Sequence, residues 1–362
     1  METKLKLSTL RKLYRLGQSP WYDNIDRRLI RSGTLKSYID SGIVGLTSNP
    51  TIFQKAVEAS NIYDEQIKTL SKEGKGAREI YDEITISDVR DAADLLKGIY
   101  LTTNGIDGYV SIEVYPEYAH DPKKTVLCAE DIFKRIGREN IMIKVPGTER
   151  GCAAVRSLIR EGINVNVTLL FSVGHYERAA RAYIDGLEDR LKDGNSIKGV
   201  ASVASLFISR IDTWIDKRLK NVQNESLKGK AACANTKMIY QKFKEIFNDE
   251  NFGALRKRGG QIQRPLWAST STKDPAYNDV KYVEELIGKD TINTMPQQTM
   301  DAFIEHGEAR LAIEDDLGDA VDSLKKLGEL KIDLSAVCQE IQDEGVSLFQ
   351  ASFDKLIDTI TR

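Results

Sequence analysis

The chain has 362 residues, a formal net charge of -2, 41% hydrophobic and 29% charged residues, and no biased tract. That length suits one large domain or two ordinary ones, with the composition of a soluble globular protein. The balanced charge gives no global case for a nucleic-acid or anionic-membrane partner, and no apolar stretch approaches the ~20 residues that span a bilayer.

Residues 1–11 alternate charge with leucine and lack the apolar core of a secretory signal. Short apolar or alternating runs then recur between helical stretches, and eight are candidate strands: 19–23, 42–48, 109–114, 140–145, 164–171, 199–205, 264–270 and 291–295. Helical periodicity separates them. In residues 176–192, Ala180, Tyr183, Ile184, Leu187 and Leu191 form an amphipathic stripe. Strands alternating with helices predict βα units and a parallel sheet. Eight units in one chain favour a (β/α)8 barrel, the TIM-barrel form of the α/β class, over an open sheet. No GxGxxG follows the first strand and no Walker loop occurs. The gaps after the second and sixth runs read as helical insertions: residues 52–57, 62–70 and 86–100, then 206–219 and 236–247. Residues 309–362 read as a helical tail, broken near 331–333, on the outside of the barrel or over one mouth. The organisation expected is one barrel domain over 1–362 with 309–362 packed on it.

The run Asn140-Ile-Met-Ile-Lys144 is apolar until its last residue, and the chain breaks after it at Val145-Pro-Gly147. Lysine is almost never buried unless paired or used. Lys144 is therefore either an ion-pair partner or a reactive amine. Burial disfavours a charged ammonium and so frees an amine for Schiff-base chemistry. Strand alternation puts Val110, Ile112 and Val114 on one face and Ser111 and Glu113 on the other. It likewise separates Val165, Val167 and Leu169 from Asn164, Asn166 and Thr168, and Val44 and Leu46 from Gly45, Thr47 and Asn49. Helices cover the outside of a barrel, so the polar sets point inward. Most barrel interiors are filled with branched apolar side chains. An interior holding Asn49, Glu113, Lys144, Asn166 and Thr168 costs folding free energy, as sites demand and folds do not. Blander readings stand beside this one. Glu113 can be a structural partner of Lys144, Asn166 and Thr168 satisfied interior groups, Asn49-Pro50 a strand-ending turn, and Asp23 a helix N-cap.

Four scattered cysteines, Cys128, Cys152, Cys233 and Cys338, fit free thiols in a reducing compartment, here the cytoplasm, rather than a disulfide framework or a zinc site. With only His120, His175 and His306, a multi-histidine metal centre is not expected.

Taken together, these runs resemble the transaldolase family from about Leu16 to about Gly307. The carrying segments are Gly45-Leu-Thr-Ser-Asn-Pro-Thr-Ile-Phe53, Val110-Ser-Ile-Glu-Val114, Ile143-Lys-Val-Pro-Gly-Thr148, Gly162-Ile-Asn-Val-Asn-Val-Thr-Leu-Leu-Phe-Ser172, Ala204-Ser-Leu-Phe-Ile-Ser-Arg210 and Asn293-Thr-Met-Pro296. Trp267-Ala-Ser-Thr-Ser-Thr-Lys273 is similar to the longer bacterial branch. The resemblance implies a class I (Schiff-base) enzyme of the pentose phosphate pathway, needing no cofactor or metal. It would move a dihydroxyacetone unit from sedoheptulose 7-phosphate to glyceraldehyde 3-phosphate. By position, Lys144 matches the Schiff-base lysine, Asp23 the acid/base carboxylate, Glu113 the carboxylate that handles the catalytic water and Thr168 the hydroxyl that helps hold it. Asn49 and Asn166, with Thr47 and Ser205, match groups that bond the three-carbon unit, and Arg210 matches a phosphate-binding arginine. One departure matters: the family's second phosphate arginine is absent from Ser269-Thr-Ser271, and Lys273 is the candidate replacement beside Ser269. Sugar phosphates are the expected partners, with the protein a monomer or homodimer. A fructose 6-phosphate aldolase would share the lysine. A glycoside hydrolase would use paired barrel carboxylates without it, and a non-catalytic sugar-phosphate binder would keep phosphate contacts such as Arg210 without needing Lys144, Asp23 and Glu113 together.

Overall fold

Each of the eight runs becomes a strand in the computed structural model, which describes residues 8–361; of the first eleven residues, only 8–11 fall within it. The strands are β1 (Gln18–Tyr22), β2 (Leu46–Thr47), β3 (Val110–Glu113), β4 (Ile141–Pro146), β5 (Val165–Leu170), β6 (Ser202–Phe207), β7 (Arg264–Ala268) and β8 (Thr291–Met295). Neighbours pair in parallel, and β8 returns to β1 to close a (β/α)8 barrel. β2 is shorter than its run. Gly42 turns the chain at φ 128°, and only Leu46 and Thr47 settle into the ladder. The sixth strand lies further along than the sequence suggests, because Leu206 and Phe207 continue the ladder with β7 rather than start a helix.

The insertions hold helices and, among the described residues, no strand. Between β2 and β3 lie Pro50–Glu58, Asp64–Lys72 and Ala77–Thr102; between β6 and β7 lie Ser209–Asn221, Ala231–Ile246 and Asp249–Lys257, the last not foreseen. The helix after β4, Glu149–Glu161, starts on a Thr148 cap. Asn49 ends β2 by capping the next helix: its Oδ1 accepts from Ile52 N at 3.0 Å, with Pro50 in the first turn where its missing N–H costs nothing. No described helix is long and apolar enough to cross a membrane.

The barrel is layered. At the floor, buried Asp107 accepts from Ser19 Oγ (2.8 Å), Trp21 Nε1 (3.1 Å) and Arg264 Nη2 (2.9 Å), so a buried charge is paired on several sides. Above it the Trp21 ring fills the lumen. A Cβ on Gly45 would come within 2.3 Å of that ring, so only glycine fits beside it. Asn164 belongs to the floor as well. Its amide ties Glu139 O and Ile141 O and accepts from Ala201 N, which keeps it away from the polar row above.

The tail forms helices Leu317–Glu329 and Leu334–Thr361, separated where Lys331 takes φ 60°. A bulge in β5 fixes where the longer helix sits. The β5–β6 register shifts between Val167 and Leu170, and Leu169 adopts φ 58°. Gln342 donates to the Leu169 carbonyl (2.7 Å) and to Gly147 O (3.2 Å), and Cys338 Sγ donates to Phe171 O (3.3 Å). A Cβ on Gly345 would meet Leu169 Cδ2 at 2.9 Å, so this helix lies directly on the C-terminal end of β5. It crosses a barrel mouth rather than the outer wall.

Candidate active site

Register builds the site. Glu113 pairs with Lys144 across β3–β4, and Lys144 with Asn166 across β4–β5, so three inward polar residues stand in one row. Lys144 Nζ donates to Ser48 O at 3.0 Å and lies 3.6 Å from Glu113 Oε2, with both side chains almost wholly buried. On the far side, Thr47 Oγ1 donates to Asp23 Oδ1 (2.7 Å) and meets Thr294 Oγ1 at 2.6 Å. Asn166 gives one N–H to Ser111 Oγ (3.0 Å) and accepts from Ser205 Oγ (2.6 Å). One amide proton and one lone pair remain for other partners.

The electrostatics are those of acids kept from ionising easily. Burial pushes the Glu113 carboxyl up to about 7, against the opposing pull of Lys144. Burial also raises Asp23, while Lys144 and the Thr47 hydroxyl hold it down. Both Glu113 oxygens and Thr168 Oγ1 are buried without a hydrogen-bond partner. Buried polar groups are almost always satisfied. A carboxyl and a hydroxyl without hydrogen bonds beside a buried amine make a place for water or a reacting group. Glu113 is the ion-pair partner of Lys144 that the bland reading describes, and its lack of any hydrogen bond goes beyond that reading; Asp23 is no helix cap, since Asp26 caps the next helix.

Above this row opens a cavity of about 510 Å³, lined by Asp23, Thr47, Asn49, Lys144, Ser205, Arg210, Ser269 and Lys273 among others. Glu113, Asn166 and Thr168 are not among its lining residues. Arg210 is half-buried, and its Nη1 has no partner. Burial lowers its affinity for a proton, with Glu344 opposing. Lys273 is lowered first by burial and then by Arg210 and Lys55. Lys55, Arg210 and Lys273 thus gather positive charge along the cavity lining. Ser269, at φ 55°, meets Ser209 Oγ at 3.0 Å, and Lys273 donates to Ser271 Oγ at 2.7 Å.

Apart from Asn164, which is held at the floor, the candidate site residues read from the sequence reach the row or the cavity. Lys55, Thr294 and Phe349 line the cavity too and were not foreseen. Thr294 lies in the quoted Asn293-Thr-Met-Pro296 segment, which was the available signal. Among the described residues no group of three or more His, Cys, Asp or Glu is placed to hold a metal.

A closed (β/α)8 barrel with amine, carboxylates and cations gathered at the C-terminal ends of its strands defines a barrel enzyme. Residues 20–360 match the family model described as Transaldolase/Fructose-6-phosphate aldolase. The chain is 44% identical to a transaldolase 2 of Nostoc sp., covering 98% of this chain and 97% of that one. It is 45% identical to a transaldolase of Trichodesmium erythraeum (97% and 96%) and 43% identical to one of Saccharopolyspora erythraea (98% and 97%). The chain belongs to the transaldolase/fructose-6-phosphate aldolase family, and its activity is that of a transaldolase, a transferase.

Proposed function

We propose that the enzyme carries a dihydroxyacetone unit on Lys144, from sedoheptulose 7-phosphate to glyceraldehyde 3-phosphate, giving erythrose 4-phosphate and fructose 6-phosphate. The observation that supports this most is the buried Lys144 amine 3.6 Å from a carboxyl with no other partner. A neutral amine can keep one N–H on Ser48 O and turn its lone pair to the ketose C2. Nitrogen adds to the carbonyl, water leaves, and an iminium forms. Glu113 passes the protons of that exchange through a water beside Thr168. Asp23 takes the C4 hydroxyl proton. The C3–C4 bond breaks, its electron pair enters the iminium to give an enamine, and the shortened aldose departs. The enamine carbon then attacks the second aldehyde, Asp23 returns its proton to the new alkoxide, and hydrolysis frees the product and Lys144. Asn49, Asn166 and Ser205 hold the unit between the two aldoses. The four free cysteines support a reducing, cytoplasmic setting.

Borohydride trapping tests the reading. After incubation with fructose 6-phosphate and reduction, a three-carbon adduct on Lys144 is expected in the peptide map. Unmodified, folded protein would reject it, and an adduct on another lysine would move the site. A fructose 6-phosphate aldolase would give the same adduct but release free dihydroxyacetone, so a product assay with an added aldose phosphate separates the two.

Arg210, Lys273 and Lys55 are assigned to the substrate phosphate. Lys273→Ala is expected to raise KM roughly tenfold with kcat little changed, the size of one charge-assisted hydrogen bond. Lys55, which is exposed, should contribute less. Unchanged KM in the Lys55→Ala/Lys273→Ala double variant would place the phosphate elsewhere.

A further inference from the structure

We infer that Phe349, on the tail helix, decides whether the bound three-carbon unit is transferred or lost; this inference rests on the Schiff-base reading above. Lys144 Nζ lies 5.8 Å from the centre of the Phe349 ring, which lines the cavity and is 5% exposed. Phe207 lines the cavity as well, but the cation over its ring is Arg210.

The helix is held there rather than merely resting. Cys338, Gln342, Gly345 and Phe349 follow one another at three- or four-residue spacing and so share a face. The first three fasten to the ends of β4 and β5 as described above. Beyond Phe349, Ser352 Oγ meets Thr51 Oγ1 at 2.8 Å, and Phe353 stacks edge-on against Tyr81, with ring centres 5.1 Å apart. Gly345 brings the helix close to Arg210 as well, since a Cβ there would lie 3.7 Å from Nη1. One helical face thus touches both the amine and the phosphate-facing arginine.

The chemistry gives that ring its task. The enamine has two fates. It can attack an aldehyde, forming a carbon–carbon bond. Otherwise its carbon takes a proton, the resulting iminium adds water, the C–N bond breaks, and free dihydroxyacetone leaves with the amine restored. The second fate needs a proton source and water at the cavity side of Lys144 while the site waits between aldoses. Phe349 occupies that side with an apolar ring. Glu113 and Thr168, whose oxygens lack hydrogen bonds, are not among the residues that line the cavity with Phe349, so water for productive imine hydrolysis has a place apart from the ring. Phe349 is therefore a positioning and specificity residue that touches no proton in the reaction.

The test compares full-length wild type with Phe349→Ala and Phe349→Leu. Each is given fructose 6-phosphate and erythrose 4-phosphate, and free dihydroxyacetone is measured against sedoheptulose 7-phosphate formed. This ratio comes only from active molecules and so is independent of the folded fraction. Phe349→Ala is expected to raise the released share roughly tenfold or more, the scale on which one apolar pocket contact changes discrimination. Phe349→Leu, which restores apolar bulk, should return most of it. A wild-type ratio in both variants would overturn the inference, as would an equal rise in both. If Phe349→Ala does not fold, Phe349→Leu against Phe349→Ser carries the same comparison. Trapping on Lys144 in the wild type is run alongside: its absence refutes the Schiff-base reading, whereas its presence with an unchanged ratio refutes only the role of Phe349.

Discussion

Lys144→Ala and Lys144→Arg are each expected to lower kcat by at least roughly 10³-fold while leaving the fold intact, because no other group replaces a covalent nucleophile. The arginine variant is the sharper of the two. It keeps the positive charge beside Glu113, but a guanidinium does not give up its proton near neutral pH and cannot form the imine. The alanine variant raises a separate question, since removing one partner of a buried ion pair costs about 3–5 kcal/mol when the other stays charged. Here it need not stay charged. Glu113 already sits at about 7 with Lys144 pulling it down. Without Lys144 it rises further and takes a proton, and a neutral carboxyl is far cheaper to bury. Circular dichroism and thermal melts of both variants should therefore stay near wild type while turnover disappears. Wild-type-like turnover in either variant would sink the assignment. A collapsed melt in Lys144→Ala with a normal one in Lys144→Arg would instead show the pair to be mainly structural.

The barrel and its polar row were legible because both rest on short-range rules. Alternation alone turns Glu113, Lys144, Asn166 and Thr168 to one side of their strands, and helices on the outside decide which side is inward. Strand ends were less legible. β2 is cut to two residues by the Gly42 turn, and β6 slides forward because its partner β7 extends to Ala268. These limits are set by tertiary pairing, which no local window contains. The cavity's far wall was hidden for a different reason. Residues 334–361 show a buried stripe from Val337 through Ile360, and a stripe announces packing without naming what it packs on. Gln342, a buried amide within that stripe, was the one local sign that the surface beneath carries an open carbonyl. That carbonyl is freed by the Leu169 bulge, which alternation does not foresee. The Asp107–Arg264 floor is of the same kind: two charges far apart in sequence that become partners only when the barrel closes.

Glu113→Gln should reduce kcat by roughly 10²–10³-fold, the share a positioned acid–base group supplies, and should also change the shape of the pH profile. A carboxyl held at about 7 is half ionised near neutrality, where it can both give and take a proton. Wild-type kcat is accordingly expected to fall on the acid side of pH about 7, as Glu113 fills with a proton and can no longer draw one from the hydrolytic water. Glutamine does not titrate, so that acid limb should flatten in the variant. Stability follows the same proton with its own sign. Folding raises this carboxyl from 4.5 to about 7, so between those values the folded protein holds a proton the unfolded chain does not. The stabilisation is complete below the unfolded value and is lost as pH rises through about 7. Melting temperature against pH should therefore decline less steeply over that window in Glu113→Gln than in wild type. An acid limb near 7 that survives in the variant would assign it to another group and remove Glu113 from the proton path, even if kcat itself had dropped. Loss of the limb together with the flatter stability profile would tie both to a single buried carboxyl, the one that faces Lys144 across the β3–β4 register.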